Sequence, residues 1–443
     1  MHTQRRTDSL KPRAAHNNAQ PRSTTIVPTE NHEDRAIVIG AGIVGVCTAL
    51  ELQRRGLTVT MIDRLEPAGG CSFGNAGVLG AQGVVPIGLP GLYKSVPKML
   101  LDPKGPLVIR RRGLTRTIPW LWHFYRASAP HRVTRIADAM QALHTTTVEL
   151  HKQLAEEAGV PELITDQSYL VLYRSKEQAN LETLPWRLRR DHGARIEVFE
   201  GGAVKELEPQ LSPIYKVAVR YGPMGTTTHP HRLTTAYAKL FETRGGSILR
   251  ADVKALRPDG ATTTVETSTG DHHAETVIIA AGAWSARLVE PLGHKLPLIA
   301  ERGYHMTFTN SGITLGHVLH EATRQVAINA MEHGLRVAGT DELGDPDDKP
   351  LWQRAETLRE VVREALPSAD TSEGTRWMGP RPGMPDSLPA IGPIKGHPNI
   401  FLACGHGHLG LTAAPETGRI IGGLVTNQPP NIDIRPYAPD RFK

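Results

Sequence analysis

The apolar positions of this chain follow two periodicities, and the switches between them mark its elements. From Ala36 to Ile39 the run is uniformly apolar; it then breaks into Gly40, Gly42 and Gly45 in G-x-G-x-x-G spacing before a long amphipathic stretch. That pattern predicts a strand turning sharply into a helix. A second apolar run, LTVTMID, ends at Asp63. Ile136, Met140, Leu143, Val148, Leu150 and Leu154 recur at helical spacing and predict one buried helical face over 133–159. YLVLY (Tyr169 to Tyr173) reads as a strand, while EQANLETLPWRLRRDHG and HRLTTAYAKLFETRGG read as helices stopped by glycine. SILRADVKAL and TVETST predict strands, and ETVIIAAGAW a fully apolar parallel strand leading into Gly282. Alternation from His305 to Gly339 predicts an antiparallel sheet, and LWQRAETLREVVREAL an amphipathic helix. NIFLACGHGHLGLTAAPETGRIIGGLV closes the chain as strand, glycine loop and helix. Gly69 to Gly91 carries too many glycines for a packed helix and predicts an extended loop against a ligand.

The glycine triplet has a specific physical use. The first glycine permits the tight turn, the second lets backbone approach a pyrophosphate, and the third lets the helix pack closely on the strand. Free N–H groups and the positive end of the helix dipole then face the phosphates. Asp63, ~20 residues on, stands where an acid accepts hydrogen bonds from a ribose hydroxyl. Dinucleotide-like elements recur at the beginning, middle and end of the chain. We therefore expect an α/β fold with a Rossmann-like dinucleotide-binding domain, the cofactor domain, assembled from 34–95, 200–295 and 376–430. An α+β substrate domain with a mostly antiparallel sheet, 96–199 and 296–375, is interleaved with it. Residues 1–33, polar and rich in Arg, Asn, Thr and Pro, read as a disordered extension without the apolar core of a secretory signal.

Composition narrows the classes. The 443 residues are 39% hydrophobic, enough for ordinary cores in two or three domains. A net charge of +6 is too mild and dispersed to imply nucleic acid. Three cysteines, Cys47, Cys71 and Cys404, form no closed disulfide framework and favour a reducing compartment. The histidines lack the spacing of a zinc site, so no metal is expected. No apolar stretch reaches the ~20 residues needed to span a bilayer. Between Arg110 and Arg126, however, Arg110, Arg111, Arg112 and Arg116 precede Ile118, Trp120, Leu121, Trp122, Phe124 and Tyr125. That mixture suits either an anionic membrane surface or a buried aromatic helix with a solvated basic face.

RAIVIGAGIVG, SFGNAG (Ser72 to Gly77), VIIAAGAWS (Val277 to Ser285), RGYH (Arg302 to His305), RPGMPDSLPAIG (Arg381 to Gly392) and GHGHLGLT (Gly405 to Thr412) stand in this order. Together they resemble the D-amino-acid oxidase-like FAD-dependent oxidoreductases, and more narrowly the D-amino-acid dehydrogenases. GHGHLGLT and the segment Pro223 to Thr228 resemble the D-proline or D-hydroxyproline branch. His229-Pro230 departs from the Asp-Pro pair common in the family, which leaves the following helix without its usual acidic cap. The resemblance implies non-covalent FAD, with Gly40, Gly42 and Gly45 at the pyrophosphate, Asp63 at the adenosine ribose, and Ile43, Val44 and Arg64 also binding the cofactor. It implies Ser72, Asn75, Ala76 and Gly77 near the flavin, Val253 against the adenine, and Ala281, Gly282 and Trp284 in the cofactor site. The segment Gly405, His406, Gly407, His408, Leu409, Gly410, Leu411 and Thr412 would border the pyrimidine end of the ring, where N–H donors stabilise the charge that develops on reduction.

The implied reaction is oxidation of a D-amino or D-imino acid to an imine and then a keto acid, as in amino-acid catabolism, with hydride passing to FAD and electrons onward to a quinone or other carrier. Alternatives are an oxygen-using D-amino-acid or glycine/sarcosine oxidase, and a non-catalytic flavin-binding subunit. Such chemistry needs a cation for the substrate carboxylate. Arg381 is the first candidate and Arg302 the second, because a guanidinium grips a carboxylate through two parallel hydrogen bonds. Tyr304 would orient the substrate. The amine must be neutral before hydride leaves, and His406 or His408 offers a base. A surface charge or a structural ion pair explains either arginine as well. The expected setting is cytoplasmic, with peripheral contact at the inner face of the membrane through the basic aromatic stretch.

Overall fold

A computed structural model describes residues 34–94, 107–110 and 114–442; the expected disordered extension and Arg111 and Arg112 lie outside these. In the strand Asp34–Ile39 the run from Ala36 to Ile39 is uniformly apolar because both its faces are covered. Ala36 and Val38 pack with Val46, Leu50 and Tyr237 on one side, while Ile37 and Ile39 pack with Val277, Ile279 and Val289 on the other. It pairs in parallel with Val59–Asp63 and with the strand Gly270–Ile279. The latter pairs in parallel with His397–Cys404, and Val59–Asp63 with Ser247–Arg250. Ala390–Ile394 adds an antiparallel edge, and the strands Val253–Asp259 and Thr262–Thr267 run antiparallel beside Gly270–Ile279. Helices Ile43–Arg54, Pro230–Thr243 and Gly410–Val425 cover one face, meeting through Leu50, Leu233, Phe241 and Ile420.

A second, larger sheet runs in the order 375–383, 299–308, 334–344, 326–331, 318–321, 164–173, 217–227 and 78–79. It is mostly antiparallel, with parallel pairs at 318–321 against 164–173 and at 107–109 against 334–344. Its back carries the amphipathic helix Gln353–Ala365, whose Ala355, Leu358 and Val362 pack on Tyr304, Met306 and Phe308. The α/β fold class is the expected one. Three strands on the cofactor side of the expected boundaries, 78–79, 217–227 and 375–383, pair in this second sheet instead.

Other differences have local causes. The helix expected over 133–159 is two, Pro130–His144 and Thr147–Glu157, interrupted at a run of β-branched threonines. In the next segment only Leu184–Asp191 is helical: Thr183 before it is extended, and Pro185 fits the first turn, where no amide is needed. The helix after His229 does have a cap: the Arg232 amide donates to His229 Nδ1 at 3.1 Å, so the imidazole does the work of the usual carboxylate.

Candidate active site

The two sheets and their connecting loops enclose a cavity of about 1390 Å³. Gly40 opens it with φ of +113°, where a Cβ would stand 2.4 Å from the Ala280 oxygen. Only glycine is compatible with that turn. At Gly45 a Cβ would lie 1.9 Å from the Gly40 oxygen, so the helix sits against its own entry loop. Gly40, Gly42, Ile43 and Val44 line the cavity, and Gly45 stands just behind them as a packing residue. Asp63 also lines it and fastens the glycine loop: Ala41 N donates to Oδ2 at 2.7 Å and Leu65 N to Oδ1 at 2.9 Å. Ser72 Oγ accepts from the Ile43 amide at 2.9 Å, at the start of the glycine-loop helix.

The remaining segments converge on the same space. Arg64, Asn75, Ala76, Val253, Ala281, Gly282 and Trp284 line the cavity, with the Arg64 guanidinium 4.1 Å from the Trp284 ring centre. Ala76 is held by Asn329, which donates to its oxygen at 2.9 Å, and Asn75 by Arg336, which donates to its oxygen at 2.7 Å. From the C-terminal loop, His406, Gly407, His408, Leu409, Gly410 and Leu411 face inward, directly before the helix Gly410–Val425. Gly77, Gly405 and Thr412 stand outside the lining; the Gly80 amide donates to Thr412 Oγ1 at 3.0 Å. The glycine-rich stretch from Gly69 supplies lining as expected, through Gly69, Gly70, Cys71 and Gly74 among others.

The expected catalytic residues divide. Arg381 lines the cavity and its Nη1 donates to Asp341 Oδ1 at 2.6 Å. Its guanidinium lies flat over Gly303, where a Cβ would come within 2.0 Å of Nη2. Arg302 and Tyr304 are on the opposite face of the same strand and line no part of the cavity. Arg302 is fully buried; its Nη1 donates to Glu342 Oε1 at 2.6 Å and its Nη2 to the Asp348 oxygen at 2.6 Å. The Tyr304 hydroxyl donates to Glu342 Oε2 at 2.5 Å and accepts from the Leu351 amide. Both are structural: the expectation that they hold substrate is corrected by their place outside the cavity, with the Arg302 Nη1 and Nη2 groups and the Tyr304 hydroxyl engaged in a buried cluster.

The two histidines are poor bases. Burial, then the neighbouring His144, lowers His406 to about 3, and its Nε2 is engaged with Thr417 Oγ1 at 3.0 Å. The walls around His408, then Arg381, lower it to about 4. Sequence reasoning missed two carboxylates on the cavity face, Glu301 and Asp341. It also missed a lobe lined by Tyr169, Trp186, Arg189 and Tyr221, in which the Arg189 guanidinium stands 4.9 Å from the Trp186 ring centre and 4.8 Å from that of Tyr221. Neither has a local sequence signal: strand register brings the two carboxylates to the cavity, and the lobe joins Trp186 and Arg189 of the helix Leu184–Asp191 to Tyr169 and Tyr221 of two strands.

Residues 35–424 match the family described as FAD dependent oxidoreductase. The chain belongs to that family. A D-amino-acid oxidase of Bradyrhizobium diazoefficiens is 36% identical over 91% of this chain and 98% of its own length. A D-amino acid dehydrogenase of the same organism is 30% identical over 92% and 99%. Among solved structures, glycine oxidase from Geobacillus kaustophilus superposes with a TM-score of 0.72 at 21% identity, covering 93% of this chain and 99% of that one. L-proline dehydrogenase from P. horikoshii gives 0.70 at 21% identity, over 93% and 98%. These two likenesses are of fold. The residues present fit FAD: the cavity exceeds the ~300–1,000 Å³ of an ordinary ligand pocket, and two helix N-termini and a glycine turn that excludes side chains open onto it. The protein is an FAD-dependent enzyme.

Proposed function

We propose that the protein oxidises D-amino or D-imino acids to imines, which water converts to keto acids. FAD, when bound, supplies the hydride acceptor. The observation that carries this reading is Arg381, a guanidinium seated over Gly303 on the cavity face. Asp341 engages its Nη1, while Nη2 and Nε make no hydrogen bond to any of the described residues. A substrate carboxylate gripped there is positioned between the sheet and the His406–Leu411 loop. The names of the relatives, D-amino-acid oxidase and D-amino acid dehydrogenase, favour the D-enantiomer. In this reading the parallel sheet with its helices is the FAD-binding part and the antiparallel sheet the substrate part. Gly40 to Gly45 lie at the pyrophosphate, Asp63 at the ribose, Val253 at the adenine, and the 405–412 loop at the pyrimidine end of the ring.

Electrons then pass to a quinone or other carrier, and the protein works in the cytoplasm with peripheral contact at the inner membrane face. Support for that contact comes from Tyr93, Ile118, Trp122 and Tyr125, all exposed, three of them on or beside the helix Leu114–Ala127. Arg110 and Arg116 form ion pairs with Glu342 and Glu290, so the aromatic residues rather than these two cations would make it. No helix among the described residues is long and apolar enough to cross a membrane. Dioxygen as acceptor is a second reading, favoured by the 36% identity to a D-amino-acid oxidase. Anaerobic addition of separate D- and L-amino acids, including D-proline and cis-4-hydroxy-D-proline, should bleach the flavin with the D-series only. Bleaching by none of them would refute the proposal, and peroxide release under air would select the second acceptor.

A further inference from the structure

Hydride departure from an amino acid requires that the ammonium first lose a proton, and neither cavity histidine suits that task. The carboxyl of Glu301 does. It belongs to the strand Ile299–Phe308, directly opposite Arg381 on the antiparallel neighbour, so the two side chains share the cavity face. Each lies over a glycine of the other strand. Arg381 covers Gly303, and Glu301 covers Gly383, where a Cβ would stand 2.2 Å from Oε1. Gly407 of the C-terminal loop is open toward Oε2, at 3.9 Å from its Cβ position. Glu301 is only 4% exposed, yet it lines the cavity, and among the described residues none is hydrogen-bonded to its carboxyl. A buried, unpartnered acid in a seat cleared by glycine is costly to keep unless it serves a ligand.

We infer that Glu301 is the base that takes the ammonium proton of a substrate whose carboxylate is held by Arg381. This rests on the proposed amine oxidation. An N–H bond of the ammonium breaks and an O–H bond forms on Glu301, leaving the lone pair on nitrogen. With FAD bound as the oxidant, hydride would leave Cα with its electron pair, and that lone pair would form the C=N bond of a protonated imine. Glu301 then returns its proton to water. The groups facing the carboxyl are Asp341, from the strand Gly334–Gly344, and Arg381, with His406 and His408 on the adjoining loop. Burial first, then Asp341, raise Glu301 to about 8, against a partial offset by Arg381. That brings its basicity toward that of an alkyl ammonium, about 10, whereas an ordinary carboxylate is too weak by several powers of ten.

The test is the rate of anaerobic flavin bleaching by a D-amino acid against pH, for the wild-type holoenzyme, Glu301→Gln and Glu301→Asp. The wild-type rate should rise through about 8. In Glu301→Gln the rising limb should move to ~10, the ammonium's own range, with a loss of about 100-fold at pH 7 that shrinks toward pH 10. Glu301→Asp should keep the lower limb. Unchanged flavin absorbance in each variant establishes that the fold is intact. A Glu301→Gln profile identical to wild type overturns the inference while leaving the proposed function standing. Failure of the wild type itself to bleach with any D-amino acid overturns both.

Discussion

Gly303→Ala tests the carboxylate seat without touching a charge. The new Cβ would be built 2.0 Å from Arg381 Nη2, 2.2 Å from Cζ and 2.7 Å from Nε, against the 3.0 Å below which real Cβ contacts are essentially never found. The guanidinium must therefore lift by about 1 Å, the difference between 3.0 and 2.0 Å, or swing off the strand. Its end is flexible and partly exposed to the cavity, so the movement is local, and an alanine is otherwise at home in a strand interior. Displacing a charged donor pair from a carboxylate costs about 1.5–3 kcal/mol. At 1.4 kcal/mol per tenfold, that is a roughly 10- to 150-fold weaker substrate affinity. The assay is anaerobic titration of the flavin spectrum with a D-amino acid, with FAD content measured on the same sample. Substrate affinity should fall while FAD content holds. An affinity within twofold of wild type, with FAD fully loaded, would show that Arg381 in this seat is not the carboxylate ligand.

Gly45→Ala should behave oppositely: its Cβ would meet the Gly40 oxygen at 1.9 Å, a backbone atom that cannot swing aside, so the purified protein should be colourless or insoluble rather than weak in substrate binding. Arg302→Met removes the nearer partner of Glu342 from an ion pair whose two side chains are both fully buried, leaving the carboxylate only the partly exposed Arg110 at 3.3 Å as a cation. About 3–5 kcal/mol of stability should be lost in denaturant unfolding, with substrate affinity of the surviving folded enzyme unchanged. A large rise in the substrate constant would return Arg302 to the active site. Stability should also fall below neutral pH. Burial holds His305 and His406 at about 3 and His144 and His151 at about 4, so the unfolded chain binds protons below 6.5 that the folded chain refuses. Each contributes stability present above 6.5 and lost at about 1.4 kcal/mol per pH unit toward its folded value. Glu301 has the reverse sign, its contribution being lost as pH rises from 4.5 to about 8. The lowered histidines outnumber Glu301 and make the acid side steeper, and unfolding midpoints that stay flat from pH 7 to 5 would contradict this.

What the sequence discloses is whatever a few neighbouring residues decide. The turn at Gly40, the amphipathic helix 353–365 and the apolar strand before Gly282 are legible because each is enforced within about a dozen positions. The stretch from Arg110 to Arg126 carries two readings because both are present on different sides of one helix. Trp120 is buried, with its Nε1 donating to the Gly383 oxygen at 3.1 Å, whereas Ile118, Trp122 and Tyr125 are exposed.

The face on which a strand residue stands is a different kind of fact. In E-R-G-Y-H the arginine draws attention as the only cation, and Arg302 and Arg381 are indistinguishable as carboxylate ligands from composition alone. Register separates them. Glu301 is paired with Arg381 and Arg302 with Pro380, so a one-residue change in pairing would exchange the buried cluster and the cavity. Positions 301, 303, 305, 377 and 381 contribute to the cavity side, through Glu301, Trp377 and Arg381 in the lining and His305 stacked on Trp377 at 4.9 Å. Arg302 and Tyr304 take the other side, where the helix 353–365 and Glu342 await them. Two glycines, 303 and 383, are the residues that would have pointed to this arrangement, since a strand has no need of glycine unless something lies across it. What lies across these two is an arginine and a glutamate, side by side and opposite in charge, which is the complement of a zwitterion.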